Sequence, residues 1–124
     1  MKNGGTRRLP EAEERVMQAL WACSGPAERT EIEKQLRKPM APTTLLTLLS
    51  RLAEKGCVEI EKRGRLSVYT PKLTKREYLA SESRHLMEQL CAGSVSDFAS
   101  ALCSGGLTKE ELQTLRQLLE EAET

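Results

Sequence analysis

The stretch 42–56, PTTLLTLLSRLAEKG, decides how this chain folds. Four leucines recur in it at the spacing that places side chains on one stripe of an α-helix, so they are predicted to point into a core. They are Leu45, Leu48, Leu49 and Leu52. Gly56 follows as a helix stop, which predicts a helix over about 42–55 with its other face outward.

The outward face of this helix suits the major groove of DNA. Its side chains are small hydroxyls, a short aliphatic group and a guanidinium, which can meet thymine methyl groups, guanine or phosphate. They are Thr43, Leu46, Thr47, Ser50 and Arg51. An ordinary solvated helix face has a similar composition, so the flanking sequence must decide between the two interpretations.

The elements on either side predict a winged helix. One helix opens at Pro10, and a capping box of Thr30 and Glu33 opens a second just before the stretch 42–56. Beyond it the residues alternate in polarity, and a glycine reverses the chain into a β-hairpin with Arg63 and Arg65 at its tip. Three helices and a basic hairpin indicate a winged helix-turn-helix whose wing reaches phosphate or the minor groove.

Charge and composition agree with this organisation. Residues 1–73 hold 14 lysines and arginines against 9 carboxylates, whereas residues 74–124 hold 5 against 9, so only the first part suits a polyanion. No apolar run approaches the roughly 20 residues of a membrane span, and no signal-peptide core is present. We expect a cytoplasmic protein that does not insert into membranes, with a flexible basic arm (1–8) and a DNA-binding domain (9–73).

The remaining residues, 74–124, predict three helices, of which two open with capping boxes at Thr74–Glu77 and Thr108–Glu111. They carry more apolar surface than three short helices can bury, so we expect a helical dimerisation domain in a symmetric homodimer. The alternative is that these helices pack back on their own winged helix. The predicted dimerisation residues are Leu79, Leu86, Leu90, Phe98, Leu102, Leu112, Leu115 and Leu119.

Four segments together carry a family resemblance: EERVMQALW (13–21), TEIEKQL (30–36), TLLTLLSRLAEKG (44–56) and the YTP after the wing. Over about residues 9–119 the chain resembles the penicillinase and methicillin-resistance repressors and the related copper-transport repressors. The resemblance implies a winged-helix dimer that binds a pseudo-palindromic operator in double-stranded DNA and silences resistance or transport genes.

Residue by residue, the resemblance assigns Thr44, Thr47 and Arg51 to the recognition helix, and it assigns Arg63 and Arg65 to a wing at about 62–66. The chain departs from the family pattern at Thr43, Leu46 and Glu14, where lysine or serine, a larger polar residue and tryptophan respectively are frequent. The first two departures imply that the operator differs from the usual one.

The resemblance also implies two routes of induction. In antibiotic-responsive relatives a protease-linked membrane sensor pathway leads to cleavage before a phenylalanine, and Asp97-Phe98 is the matching pair here; Phe98 would otherwise fill the dimer core. Copper-responsive relatives use clustered cysteines, but this chain has no CxC or CxxC pair, so buried structural thiols are expected. Cys91 and Cys103 remain candidates for a metal or redox role across a dimer axis.

No feature of the sequence predicts an enzyme or a cofactor. The single histidine, His85, lies at helical spacing from Glu82 and Glu88, as on a solvated helix face. A nucleophile with a matched base, a glycine-rich phosphate loop and a metal triad are all missing from the sequence. Two functions remain: a dimeric transcriptional repressor, or a winged-helix module that binds proteins instead of DNA. Binding to DNA should weaken steeply as the salt concentration rises, which would distinguish the repressor from the protein-binding module.

Overall fold

The computed structural model describes residues 8–123 and is mostly helical with one small antiparallel sheet, which confirms the predicted fold class. The helices within those residues are α1 (Glu11–Ala22), α2 (Arg29–Gln35), α3 (Pro42–Glu54), α4 (Lys75–Cys91), α5 (Val95–Ala101) and α6 (Lys109–Ala122). The strands are β1 (Ala27–Glu28), β2 (Val58–Arg63) and β3 (Leu66–Pro71). Apart from Arg8, the predicted flexible arm lies outside the described residues.

The sheet has the order β1-β3-β2, with both pairings antiparallel. The predicted hairpin is present: Arg63 lies opposite Leu66, and Gly64 between them has a φ of 65°, which a residue without a Cβ adopts most easily. β1 was not predicted, because two residues are too few to show alternation. Its Ala27 lies opposite Tyr69, which ties the segment between α1 and α2 to the wing.

A single apolar core joins α1, α2, α3 and the sheet. The leucine stripe of α3 is buried as predicted, with Leu45, Leu49 and Leu52 fully inaccessible to solvent. Each such leucine stabilises the fold by about 1.5–3 kcal/mol relative to an exposed position. Because one whole face of α3 is held in this way, the opposite face is fixed in its orientation toward solvent.

The start of α2 differs from the prediction. The capping box of Thr30 and Glu33 is wrong, since the cap lies two residues earlier, at Glu28, whose backbone N–H donates to the Glu31 carboxylate at 2.8 Å. Glu33 instead pairs with Arg29 at 2.5 Å. The pairing of β1 with β3 holds Glu28 in an extended conformation, and the helix therefore starts directly after it. The boxes at Thr74–Glu77 and Thr108–Glu111 are confirmed.

The first turns of α4 pack against α1. The Trp21 indole N–H donates to the Leu73 carbonyl at 2.9 Å, and its ring centroid lies 5.8 Å from that of Tyr78. The Tyr78 hydroxyl donates to Glu14 at 3.3 Å. Burial, assisted by the nearby Glu14 carboxylate, raises the pKa of Tyr78 to about 12. Tyr78 is therefore a core residue of the winged helix, although its position is in α4.

The chain divides into two compact units, one ending at Glu82 and the other starting at Ser83. In the second unit, α5 and α6 bury no side chain, and Met87 of α4 is its most buried apolar residue. A π-type turn, Leu102–Gly106, follows α5, and Gly105 adopts a φ of 110° within it. Among residues 8–123, none of the helices combines the length and the apolar character required to cross a bilayer.

Candidate nucleic-acid interface

α3 presents a continuous polar face to solvent. All six side chains that the sequence analysis assigned to DNA contact on this helix are exposed, and Leu46 at 40% exposure is the apolar member of the set. The other five are Thr43, Thr44, Thr47, Ser50 and Arg51. The structure thus brings these residues together on the surface that the buried leucines leave free.

The Thr47 hydroxyl has a defined hydrogen-bonding state. It donates to the backbone carbonyl of Thr43 at 2.9 Å, one turn earlier in α3. Its proton is therefore committed, and the oxygen can only accept a further hydrogen bond. At a base edge Thr47 would consequently face an adenine or cytosine amino group, or place its methyl group against thymine.

The C-terminal end of α3 is fixed by an ion pair inside the winged helix. Lys55 Nζ lies 2.5 Å from Glu13 Oε1, and the Glu13 side chain is only 4% exposed. Pairing offsets the cost of burying the carboxylate. Because Glu13 belongs to α1, this contact sets how α3 lies against α1.

The two arginines predicted in the wing differ in their ion pairing. Arg63 pairs with Glu61 of the same strand at 3.3 Å, with both side chains 58% exposed. An exposed pair of this kind contributes little, so phosphate can replace Glu61 at small cost. Arg65 is exposed and makes no ion pair within residues 8–123. It is thus the wing cation that is ready to bind an anion.

A groove of about 190 Å³ connects the recognition face to the wing. Leu46 of α3 and Arg65 of the wing both line it. So do six residues that the sequence analysis did not select for DNA contact: Glu28, Arg29, Thr30, Leu66, Ser67 and Tyr69. These join the site because β1 and β3 pair next to the start of α2. The sequence pattern does not indicate that α2 lies beside the wing, because this arrangement depends on the pairing of β1, a strand of only two residues.

None of the predicted dimerisation residues is buried within the chain. Leu79, Leu86, Leu90 and Leu119 are 44–76% exposed, and the other four are partly exposed. The other four are Phe98, Leu102, Leu112 and Leu115. In α5, Asp97 is exposed beside the half-buried Phe98, and the Asp97 backbone N–H donates to the Ser94 hydroxyl at 3.1 Å.

Within residues 8–123 the four cysteines form no disulfide bond. Cys57 is buried and Cys23 is half-buried with its Sγ 3.4 Å from the Ala19 carbonyl, and burial followed by the Glu31 charge raises the pKa of Cys23. Cys91 is half-buried and Cys103 exposed. Within residues 8–123 no three histidine, cysteine or carboxylate side chains are grouped as a metal site would require.

Comparison with known proteins identifies the family. The profile described as "Penicillinase repressor" matches residues 9–121. The penicillinase repressor of Bacillus licheniformis is 32% identical over 117 residues, which are 92% of this chain and 91% of the relative. This chain belongs to the penicillinase repressor family. The methicillin resistance regulatory protein MecI of Staphylococcus aureus, at 23% identity over 92% of this chain and 94% of its own, is a more distant relative.

Solved structures of the family agree with the winged helix. The solution structure of the DNA-binding domain of the repressor BlaI is 32% identical and superimposes with a TM-score of 0.52, covering 63% of this chain and 94% of that domain. Monomeric Bacillus licheniformis BlaI in complex with the blaP half-operator is 34% identical with a TM-score of 0.50 over the same shares. Membership of this family makes the chain a transcriptional repressor and not an enzyme.

Proposed function

We propose that this chain represses transcription by binding an operator in double-stranded DNA with α3 in the major groove and the wing on the adjacent backbone or minor groove. The observation that carries the proposal is the groove that Leu46 and Arg65 share. It joins the polar face of α3 to an unpaired wing cation, so one surface offers both base-edge and phosphate contacts. The structure of BlaI in complex with the blaP half-operator supports DNA as the partner.

Within this surface, Arg51 is the residue expected to contribute most to binding. It is exposed on α3, makes no ion pair within residues 8–123, and is the only charged member of the six α3 residues assigned to DNA contact. A guanidinium can bind guanine O6 and N7 with two hydrogen bonds, or a phosphate oxygen. Leu46 and the threonine methyl groups complement it by contacting thymine.

We expect Arg51→Ala to weaken operator binding by about 1 to 3 kcal/mol. The measurement is a fluorescence anisotropy titration against a duplex selected from random sequences by the unmodified protein. Arg84→Ala is the control, because Arg84 is also exposed but lies on α4, where it pairs with Glu88. If Arg51→Ala and Arg84→Ala bind the selected duplex with equal affinity, Arg51 is not a contact residue.

Salt dependence distinguishes this function from a winged helix that binds only proteins. Several phosphate contacts make log K fall linearly with log salt concentration, with a slope of about −0.9 per phosphate neutralised. We expect Arg65→Ala to reduce that slope by about 1. A flat dependence for the unmodified protein would favour the protein-binding alternative.

The repressor is proposed to act as a homodimer assembled through α4–α6. Its support is that α5 and α6 bury no side chain within one chain, although Leu112, Leu115 and Leu119 recur at helical spacing on α6. A second copy would remove that apolar face from water and place two recognition helices on a pseudo-palindromic operator. Packing of these helices on their own winged helix remains the alternative, and sedimentation velocity distinguishes the two.

Release of the operator is proposed to follow proteolysis between Asp97 and Phe98 through a membrane-sensor pathway. The pair lies in a seven-residue helix, α5, between two glycines with positive φ, Gly93 at 81° and Gly105 at 110°. A short helix that buries no side chain can open locally at low cost, as a protease requires. Mass spectrometry of the protein after incubation with extracts of β-lactam-induced cells should detect the cut, and an intact Asp97-Phe98 bond would exclude this route.

A further inference from the structure

A second groove, of about 500 Å³, lies between α1, the C-terminal end of α2 and the first turns of α4. It shares no lining residue with the groove beside Leu46 and Arg65. Its volume falls within the range of small-molecule sites, which is about 300–1,000 Å³. All of its lining residues belong to the unit that ends at Glu82, so it is complete within the winged helix.

One wall of this groove is apolar and aromatic. Trp21, Tyr78 and Leu79 line it, and Leu79, which is also one of the predicted dimerisation residues, is 51% exposed in the single chain. The polar ends of both rings are already used, since Trp21 donates to the Leu73 carbonyl and Tyr78 donates to Glu14. A bound molecule would therefore meet ring carbons and aliphatic carbons along this wall, which favours an apolar body.

The groove also contains three cations without an anionic partner. Arg15, Arg37 and Lys75 line it, and none of them forms an ion pair within residues 8–123. The Arg15 Nε is buried and has no hydrogen-bond acceptor among those residues. A buried donor in this state is costly, and it leaves a guanidinium group with no anionic partner, which can bind a carboxylate through its terminal nitrogens.

The lining also holds two carboxylates, Glu14 and Glu82, each with a contact of its own. Glu14 accepts from the Tyr78 hydroxyl at 3.3 Å and from Gln18 Nε2 at 3.4 Å. Glu82 lies 3.5 Å from Arg8. Three cations against two carboxylates leave the lining with a net charge of +1 beside the aromatic wall, and Arg8, outside the lining, compensates Glu82.

We propose that this groove binds a small organic anion, with a carboxylate near Arg15, Arg37 and Lys75 and an aromatic or aliphatic body against Trp21, Tyr78 and Leu79. Charge-assisted hydrogen bonds from guanidinium groups would orient the carboxylate, and burial of the body would supply the apolar contribution. The inference does not rest on operator binding, because it uses residues outside the recognition face and the wing.

The test uses the full chain and 4-phenylbutyrate as the probe. Trp21 is the only tryptophan, so the single indole N–H signal of a ¹H–¹⁵N spectrum reports on the groove. We expect 4-phenylbutyrate to shift this signal saturably, and 4-phenylbutan-1-ol, which lacks the charge, to bind at least about tenfold more weakly. Absence of saturation with 4-phenylbutyrate, or equal affinity for the alcohol, would overturn the proposal.

Variants distinguish binding of 4-phenylbutyrate in the groove from nonspecific attraction of an anion to basic side chains elsewhere. Arg37→Gln and Lys75→Gln each remove one lining cation at an exposed position, and each should weaken binding of 4-phenylbutyrate by about three- to tenfold. Arg84→Gln removes the same charge from a part of α4 outside the lining and should leave the affinity unchanged. If Arg84→Gln weakens binding as much as the two groove variants do, the site is elsewhere.

Discussion

α3 and α6 have similar leucine patterns but are in different environments. On α3 the stripe is buried in the core of its own chain, whereas on α6 Leu112 and Leu115 are only half-buried and Leu118 and Leu119 are 56–58% exposed. Helical spacing therefore predicts which residues share a face, but it does not say what covers that face. The N-terminal unit has the partner elements for its leucines within the chain. For α6, we propose that a second copy supplies them.

The largest expected effect on stability comes from replacing one leucine of α3 and, for comparison, one leucine of α6 with alanine. Leu49→Ala should lower the free energy of unfolding by about 2–5 kcal/mol at any protein concentration, because it leaves a cavity in a closed core. Leu119→Ala should leave the unfolding of a dilute sample nearly unchanged and should weaken self-association instead. Chemical denaturation at two protein concentrations measures both effects. Equal destabilisation by both variants in dilute solution would show that α6 is buried against its own chain.

A second prediction concerns Tyr78, through which the first turns of α4 pack against α1. Its pKa is raised from 10.0 to about 12 in the folded chain, so folding favours the protonated phenol. This pKa shift contributes about 2–3 kcal/mol to the free energy of unfolding. The contribution is fully present below pH 10 and is lost as the pH rises through 12.

Tyr78→Phe is the control for that pH dependence, since it removes the ionising group and keeps the ring. Between pH 9 and 12 the unmodified protein should lose about 2–3 kcal/mol more stability than the variant does. Parallel curves for the two proteins would mean that the first turn of α4 is not packed on α1 as described.

The smallest expected effect is at the start of α6. The Thr108 hydroxyl accepts from the Glu111 backbone N–H at 3.1 Å, and Thr108→Ala should destabilise this helix by about 1 kcal/mol. Thr114→Ala is the matched control, because Thr114 only donates to the Glu110 carbonyl within the helix and alanine is the better helix former. Helical circular dichroism during thermal unfolding measures the difference. A loss as large for Thr114→Ala would contradict the capping role.

Local patterns predicted much of this fold, and contacts between distant segments account for what they missed. The α3 stripe, the hairpin and the caps at Thr74 and Thr108 depend on residues within a few positions of one another, and all are present. The start of α2 was misplaced because β1 consists of two residues, which leave no alternation in the sequence. Tyr78 belongs to the N-terminal core because of Trp21 and Glu14, which lie more than fifty positions earlier.

In the candidate site, too, some features follow from local sequence patterns and others depend on contacts between distant segments. The exposed face of α3 follows directly from its leucine stripe, so all but one of the residues expected there could be selected from periodicity, and Thr44 was added by the family resemblance. The groove next to it contains Arg29, Thr30 and Ser67 only because the sheet joins α2 to the wing. Likewise, sequence spacing could place Arg63 at the wing tip but could not reveal that Glu61 neutralises it.

The buried pair of Glu13 and Lys55 also determines how many positive charges the repressor offers to a polyanion. Lys55 follows α3 directly, yet its ammonium group is held by a carboxylate of α1 and is not free to release counterions from a duplex. Glu13 therefore acts as an internal counterion. The number of phosphates that the repressor neutralises is expected to be smaller than the number of basic side chains around α3.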